Sequence, residues 1–169
     1  DKKVRIWSSG CSIGQEAYTI AFTLAEAHMA SAFDVKILAT DLDSNVVSTG
    51  AEGVYSADSL MSVPDDAVEK FFEKNRTGNQ VRVRKSIRDL VHFKRLNLLE
   101  GWPMKGKFDV IFCRNVVIYF NRETQKTLFN RYADYLPVGG YLIIGHSESL
   151  NGLTDRFKSL GNTIYQKIY

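Results

Sequence analysis

Two hydrophobic rhythms alternate along the chain. Apolar residues at every second position, or in short unbroken runs, mark strands. A spacing near 3.6 marks helices. Val4–Ser8 reads as a short strand that runs straight into a Gly/Ser turn. From Gly14 to about Ala30, the residues Ala17, Ile20, Ala21, Leu24 and Ala25 fall on one helical face. Val35–Thr40 is a second strand, and Asp43 or Ser44 stands where a cap is needed for a helix over Asn45–Ala51. Val91–Leu96 and Phe108–Cys113 are the third and fourth strands. Arg122–Leu136 is an amphipathic helix stopped by Pro137 and Gly139-Gly140. Tyr141–Gly145 is a fifth strand, and Thr163–Tyr169 a closing one, turned through Gly161-Asn162 from a partner near Phe157. Strands alternating with helices specify an α/β fold on a mostly parallel sheet. The final pair is expected to add antiparallel strands at one edge.

One stretch breaks this rhythm. Tyr55–Asp89 is too long for a single crossover. It holds a helical piece at Asp65–Glu73, the turn-forming Asn75-Arg-Thr-Gly-Asn79 and the alternating Val81-Arg-Val-Arg84. The spacing predicts a small inserted β-subdomain over 55–89, between a first part at 1–54 and a second at 90–169. The part of the insert from Lys70 to Arg88 is basic, with Lys70, Lys74, Arg76, Arg82, Arg84, Lys85 and Arg88 against Glu73. A charge run is commonly a solvated face, but this one also suits an acidic partner.

Composition narrows the class. With 169 residues, 44% hydrophobic and 24% charged, the chain is of ordinary globular make-up. A formal charge of +3 is too small to argue for nucleic acid. No apolar run approaches the roughly 20 residues that span a bilayer. The chain is therefore expected not to be membrane-inserted; its two free thiols point to the reducing cytoplasm, and a monomer is expected. Cys11 and Cys113 belong to no Cys-x-x-Cys pair, so no metal or redox motif is present. Both are expected to be small core-edge residues.

The chemistry gathers at the first turn, Ser8-Ser-Gly-Cys-Ser-Ile-Gly14, followed by Gln15 and Glu16. In an open parallel sheet, ligands bind beyond the carboxyl ends of the strands. Gly10 lets the backbone approach a ligand closely. The dinucleotide pattern Gly-x-Gly-x-x-Gly fails, because Ser12 and Gln15 stand where glycines belong. Glu16 near the helix start repels a pyrophosphate and suits a neutral or cationic ligand. S-adenosylmethionine, with an ammonium, a sulfonium and no phosphate, fits better than a nicotinamide dinucleotide. Asp41, at the end of the second strand, stands where a carboxylate accepts ribose hydroxyls, and Asp43 where a helix is capped. A competing motif is Gly10-Cys-Ser12-Ile-Gly14, which matches the Gly-x-Ser-x-Gly elbow of serine hydrolases, with Asp109 and His146 following in order. Against it, the elbow follows the first strand and Asp109 opens its own strand. His146 either faces the cleft or caps a turn, and His28 and His92 read as plain surface or core residues.

Five segments resemble the CheR family. They are Arg5–Tyr18, Ala39-Thr-Asp-Leu-Asp43, Phe93–Glu100, the signature Phe108-Asp-Val-Ile-Phe-Cys-Arg-Asn-Val-Val-Ile-Tyr-Phe120, and Gly139–Glu148. They cover nearly the whole chain in order. The resemblance implies a Rossmann-like class I methyltransferase fold with a seven-stranded sheet and an antiparallel edge strand. It implies transfer of a methyl group from S-adenosylmethionine to glutamate side chains on the cytoplasmic helices of chemoreceptors, leaving S-adenosylhomocysteine. By position it implies that Glu16 and Asp41 hold the amino-acid part and the ribose. Asn97 and Leu98 lie by the adenine, and Arg114 and Asn115 lie beside the cofactor. Tyr119 faces the transferred methyl, and the insert, through Arg82 and Arg84, docks the receptor. An ionised glutamate needs no general base, so catalysis by positioning is expected. The resemblance also implies a helical N-terminal domain that this chain does not contain, so the chain is expected to be part of a longer polypeptide. Ile13 and Ala17 replace the Thr and Pro usual in the family, and the loop at Lys74–Gln80 is short. A degenerate domain that binds without turnover is the alternative, against which Glu16, Asp41, Asn115 and Tyr119 stand intact.

Overall fold

The computed structural model describes residues 2–169. The chain runs β1 (Lys3–Ser8), α1 (Gln15–Glu26), α2 (Met29–Ala32), β2 (Asp34–Asp41), α3 (Ser44–Glu52) and β3 (Val54–Ser56). It continues with α4 (Asp65–Phe71), β4 (Phe72–Lys74), β5 (Gln80–Val83), α5 (Lys85–Arg88) and β6 (Val91–Arg95). It closes with β7 (Val110–Cys113), α6 (Arg122–Asp134), β8 (Tyr141–Ile144), β9 (Phe157–Gly161) and β10 (Ile164–Lys167). Every expected strand is present. The expected helix from Gly14 to Ala30 ends earlier, because His28 takes a left-handed φ of 58° and divides it into α1 and α2.

The main sheet has the order β6-β2-β1-β7-β8-β10-β9. β1 pairs in parallel with β2 and with β7, so the order reverses beside β1. β10 pairs antiparallel with both β8 and β9. The antiparallel strand therefore lies one place in from the edge. The edge strand β9 runs with the rest, which corrects the expected antiparallel edge. A hairpin whose second strand enters the sheet beside β8 has this outcome: its first strand is pushed outward.

The period of two along each strand divides the core. In β1, Ile6 packs on the side of α1 while Trp7 packs on the side of α6. In β2, Val35, Ile37 and Ala39 face the first layer and Leu38 the second. Trp7 is fully buried, with Trp102 edge-on at 4.8 Å, and its indole N–H donates to Thr40 Oγ1 at 2.9 Å. α6 is capped at its start by Asn121, whose side chain accepts from the Thr124 N–H. At its end the buried ammonium of Lys167 donates to the carbonyls of Ala133 and Leu136 at 2.6 and 2.8 Å. A cation at a helix C-terminus satisfies carbonyls that have no partner within the helix.

The stretch that broke the rhythm forms its own three-stranded sheet, β3-β5-β4, antiparallel throughout. Val81 and Val83 point inward, as their alternation predicted, and Arg82 points out. Its apolar face joins the α1 layer, with Phe71 stacked on Phe22 at 4.6 Å. Tyr55, in β3, donates its hydroxyl to the Ile13 carbonyl at 2.6 Å and so ties the insert to the first turn.

Candidate active site

Where the strand order reverses, a cleft of about 550 Å³ opens at the carboxyl ends of the strands. Four loops line it: Ser9–Glu16 after β1, Asp41-Leu42 after β2, Leu96–Leu99 after β6, and Arg114–Phe120 after β7. Gly10, Glu16, Asp41, Asn97, Leu98, Arg114, Asn115 and Tyr119 all lie on its wall. The structure thus brings together every residue that the sequence placed in one site.

The first turn is packed against the fourth-strand loop. A Cβ at Gly10 would stand 2.3 Å from the Val116 side chain. The glycine therefore serves a close approach within the protein as well as toward the cleft. Ser12 takes a left-handed φ of 49°, and its N–H donates to Asp41 Oδ2 at 2.9 Å. Asp41 Oδ1 accepts from the Asp43 N–H at 3.1 Å. Two fixed amides hold the Asp41 carboxylate at the lip of the sheet, with lone pairs left for a ligand. Asp43 accepts from Asn45 N–H and caps α3, as its position predicted.

Glu16, in the first turn of α1, reaches back across β1. Its carboxylate accepts from the Ser8 hydroxyl at 2.8 Å and pairs with the Arg114 guanidinium at 3.5 Å. Burial raises its pKa above the ordinary value, and the Ser8 hydrogen bond and Arg114 oppose that rise. A carboxylate and a guanidinium side by side match the ammonium and carboxylate of a free amino-acid group.

Asn97 closes a tight turn, its Oδ1 accepting from Leu99 N–H at 3.0 Å. The Leu98 carbonyl is held twice, by the Trp102 indole at 3.1 Å and by Arg131 at 3.0 Å. Arg131 also stacks over the Trp102 ring at 3.9 Å. This wall is fixed from behind by aromatic packing that no motif pointed to.

The loop after β7 is the most constrained. Asn115 has a left-handed φ of 58°, a conformation Asn tolerates better than most residues. Tyr119 ends a 3₁₀ turn over Val117–Tyr119 and is 82% exposed at the cleft mouth. The turn is pinned on one flank by Gln125 of α6, whose amide donates to the Val117 and Phe120 carbonyls, both at 2.9 Å. From behind, the buried carboxylate of Glu148 accepts three backbone N–H groups: Asn115 at 2.8 Å, Gly145 at 2.8 Å and Val117 at 2.9 Å. Each such charge-assisted bond is worth about 1.5–3 kcal/mol. Sequence reasoning missed Gln125 and Glu148. For Glu148 a signal existed, since it closes a matched segment just after a strand. For Gln125 there was none, because its role depends on where α6 crosses the turn.

Asp109 and His146 fall outside the cleft. Asp109 accepts from the Arg5 N–H at the opposite end of the sheet from Ser12. His146 is exposed on the turn after β8, off the cleft wall. Ser12, Asp109 and His146 form no triad, and the hydrolase alternative fails on geometry. His28 and His92 are exposed. Burial pushes the thiols of Cys11 and Cys113 up to about 12, so neither is a nucleophile near neutral pH. On the insert, Arg82 Nε donates to the Glu52 carbonyl and Arg84 braces the Glu69 carbonyl and Glu73.

Sheet order, reversal point and cleft define a class I S-adenosylmethionine-dependent methyltransferase fold. The chain belongs to the CheR methyltransferase, SAM binding domain, family, which it matches over residues 1–166. It is 42% identical to a chemotaxis protein methyltransferase of Borreliella burgdorferi over 155 residues, 90% of this chain and 54% of the relative. It is 40% identical to chemotaxis protein methyltransferase 2 of Pseudomonas aeruginosa, over 97% of this chain and 60% of that protein. The chain thus spans somewhat more than half the length of these relatives. Among solved structures it resembles PKMT2 from Rickettsia typhi, with a TM-score of 0.52 and 20% identity over 83% of this chain and 20% of that one. It also resembles the [4+2]-cyclase SpnF, with a TM-score of 0.51 and 14% identity over 85% of this chain and 39% of that one. The likeness to a cyclase shows that this fold alone does not fix the reaction.

Proposed function

We propose that the chain is the cofactor-binding and catalytic part of an S-adenosylmethionine-dependent methyltransferase that esterifies glutamate side chains on chemoreceptor helices. The observation that carries this reading is the assembly of Glu16, Asp41, Asn115 and Tyr119 on one cleft at the sheet's reversal point. The donor set fits the cofactor. The Glu16–Arg114 pair suits its amino-acid group, Asp41 its ribose hydroxyls, and the Leu96–Leu99 wall its adenine. A pyrophosphate would meet the Glu16 and Asp41 carboxylates instead.

The bound cofactor supplies an activated methyl group. The protein's own residues bind, orient and exclude water. Glu16 and Arg114 fix one end of the site and Asp41 the middle. Tyr119, at the mouth, orients the incoming carboxylate. An ionised glutamate is already a nucleophile, so no side chain need remove a proton, and rate comes from alignment. Arg82, with its exposed basic neighbours on the insert, attracts an acidic helix; Arg84 contributes while bracing its own sheet.

The test is calorimetric titration with S-adenosylhomocysteine, followed by transfer of labelled methyl to a receptor cytoplasmic fragment. Micromolar binding and base-labile label on glutamate support the reading. Binding without transfer by the full-length protein reduces it to a degenerate cofactor-binding domain. Absence of binding by the full-length protein overturns it.

A further inference from the structure

Glu148 is buried behind the cleft and lies off its wall. None of the ion pairs among the described residues involves it. Its charge is held by three backbone amides alone, from Asn115, Val117 and Gly145. A buried carboxylate without such partners is strongly unfavourable. The same attraction acts in reverse on the backbone, drawing three N–H groups to one point.

What those amides belong to gives the residue its meaning. Asn115 and Val117 lie in the loop that carries Arg114, Asn115 and Tyr119 to the cleft. Gly145 directly follows the neighbouring strand, β8. A Cβ there would stand 2.8 Å from both Asn115 Oδ1 and Glu148 Oε1. The two strand ends are therefore in close contact, with Glu148 as the common acceptor. Asn115 keeps its left-handed backbone at this junction. Without the carboxylate, the amides of Asn115 and Val117 lose their acceptors, and the loop is free to relax.

We propose that Glu148 is a positioning residue for the methyltransferase site. Through the Asn115 and Val117 amides it sets where Arg114, Asn115 and Tyr119 stand relative to the bound cofactor. The proposal rests on the cofactor reading above.

The test compares Glu148→Gln and Glu148→Asp with Lys167→Met in the full-length protein. Lys167→Met removes another buried charge, on β10 at the C-terminal end of α6 and away from the cleft. Each variant is melted, then titrated with S-adenosylhomocysteine well below its melting transition. Glu148→Gln is expected to bind at least about tenfold more weakly than the unaltered protein while still folded. Glu148→Asp, which keeps the charge, is expected to recover part of the loss. Lys167→Met is expected to melt earlier and to bind normally. The proposal is overturned if folded Glu148→Gln binds as the unaltered protein does, or if Lys167→Met loses affinity in step with its stability. It is also overturned if neither Glu148 variant folds, since the carboxylate is then a folding element only. An unaltered protein that does not bind defeats the cofactor reading itself, and that trace is distinct from all the others.

Discussion

The N–H of Ser12 donates to Oδ2 of Asp41 at 2.9 Å, so the first turn hangs from the end of the second strand. The two are 29 residues apart, and the bond makes one unit of the two loops expected to face the cofactor. Asp41→Ala removes both the proposed ribose acceptor and the anchor of the turn. S-adenosylhomocysteine affinity is expected to fall at least about tenfold. Ser12→Gly keeps the amide and relieves the left-handed backbone, so calorimetry should find its affinity within about twofold of the unaltered protein.

Glu16 gives a pH signature. Its folded-state pKa is raised, chiefly by burial. The folded protein therefore holds a proton that the unfolded chain has lost, over the window between the ordinary and the raised value. Stability falls as pH rises through that window. Binding of an ammonium needs the ionised form and moves the opposite way, weakening on acidification from a higher pH than an ordinary carboxylate would give. Ser8→Ala removes an influence that lowers the pKa, so the onset should shift upward. Titrations across the acidic range read both effects.

Gly10 tests the close approach. Gly10→Ala places a methyl 2.3 Å from Val116 Cγ2. Over-packing of this kind costs about 1–3 kcal/mol, measurable by urea denaturation. Affinity should fall as well, because Val116 lines the cleft.

Much of this was readable from the chain, for physical reasons. Period-two alternation in Val81–Arg84 and the helical face of Ala17, Ala21 and Leu24 are local patterns. Asp41 and Asp43 follow strand-end and helix-start chemistry, which is local too. The position of β10 inside the edge, the Trp7–Trp102 contact and the convergence on Glu148 depend on partners distant in sequence. Nothing short-range encodes them. Glu148 was visible as a letter in a matched segment, but two of its three donors, Asn115 and Val117, come from the end of another strand.

Trp7 reports on the second core layer. Trp7→Phe leaves a gap beside Trp102 and deprives Thr40 Oγ1 of its donor. A loss of about 1–3 kcal/mol in chemical denaturation is expected, with cofactor affinity little changed.

Tyr119 should separate stability from rate. At 82% exposure its side chain holds little of the fold together. Tyr119→Ala should alter stability by less than about 0.5 kcal/mol. In the full-length protein, methyl transfer to a receptor fragment should slow at least about tenfold, through lost orientation of the acceptor.

The insert's attachment has a mechanical consequence. One helix, α1, carries Glu16 at its start and, through Phe22, the stacked ring of Phe71 farther along. Tyr55 adds a second tether, from β3 to the backbone beside Ser12. A push on the insert's sheet is thus delivered by two routes to the helix side of the cofactor turn. The two sheets form a rigid gauge: an object seated on one is held at a set span from the other.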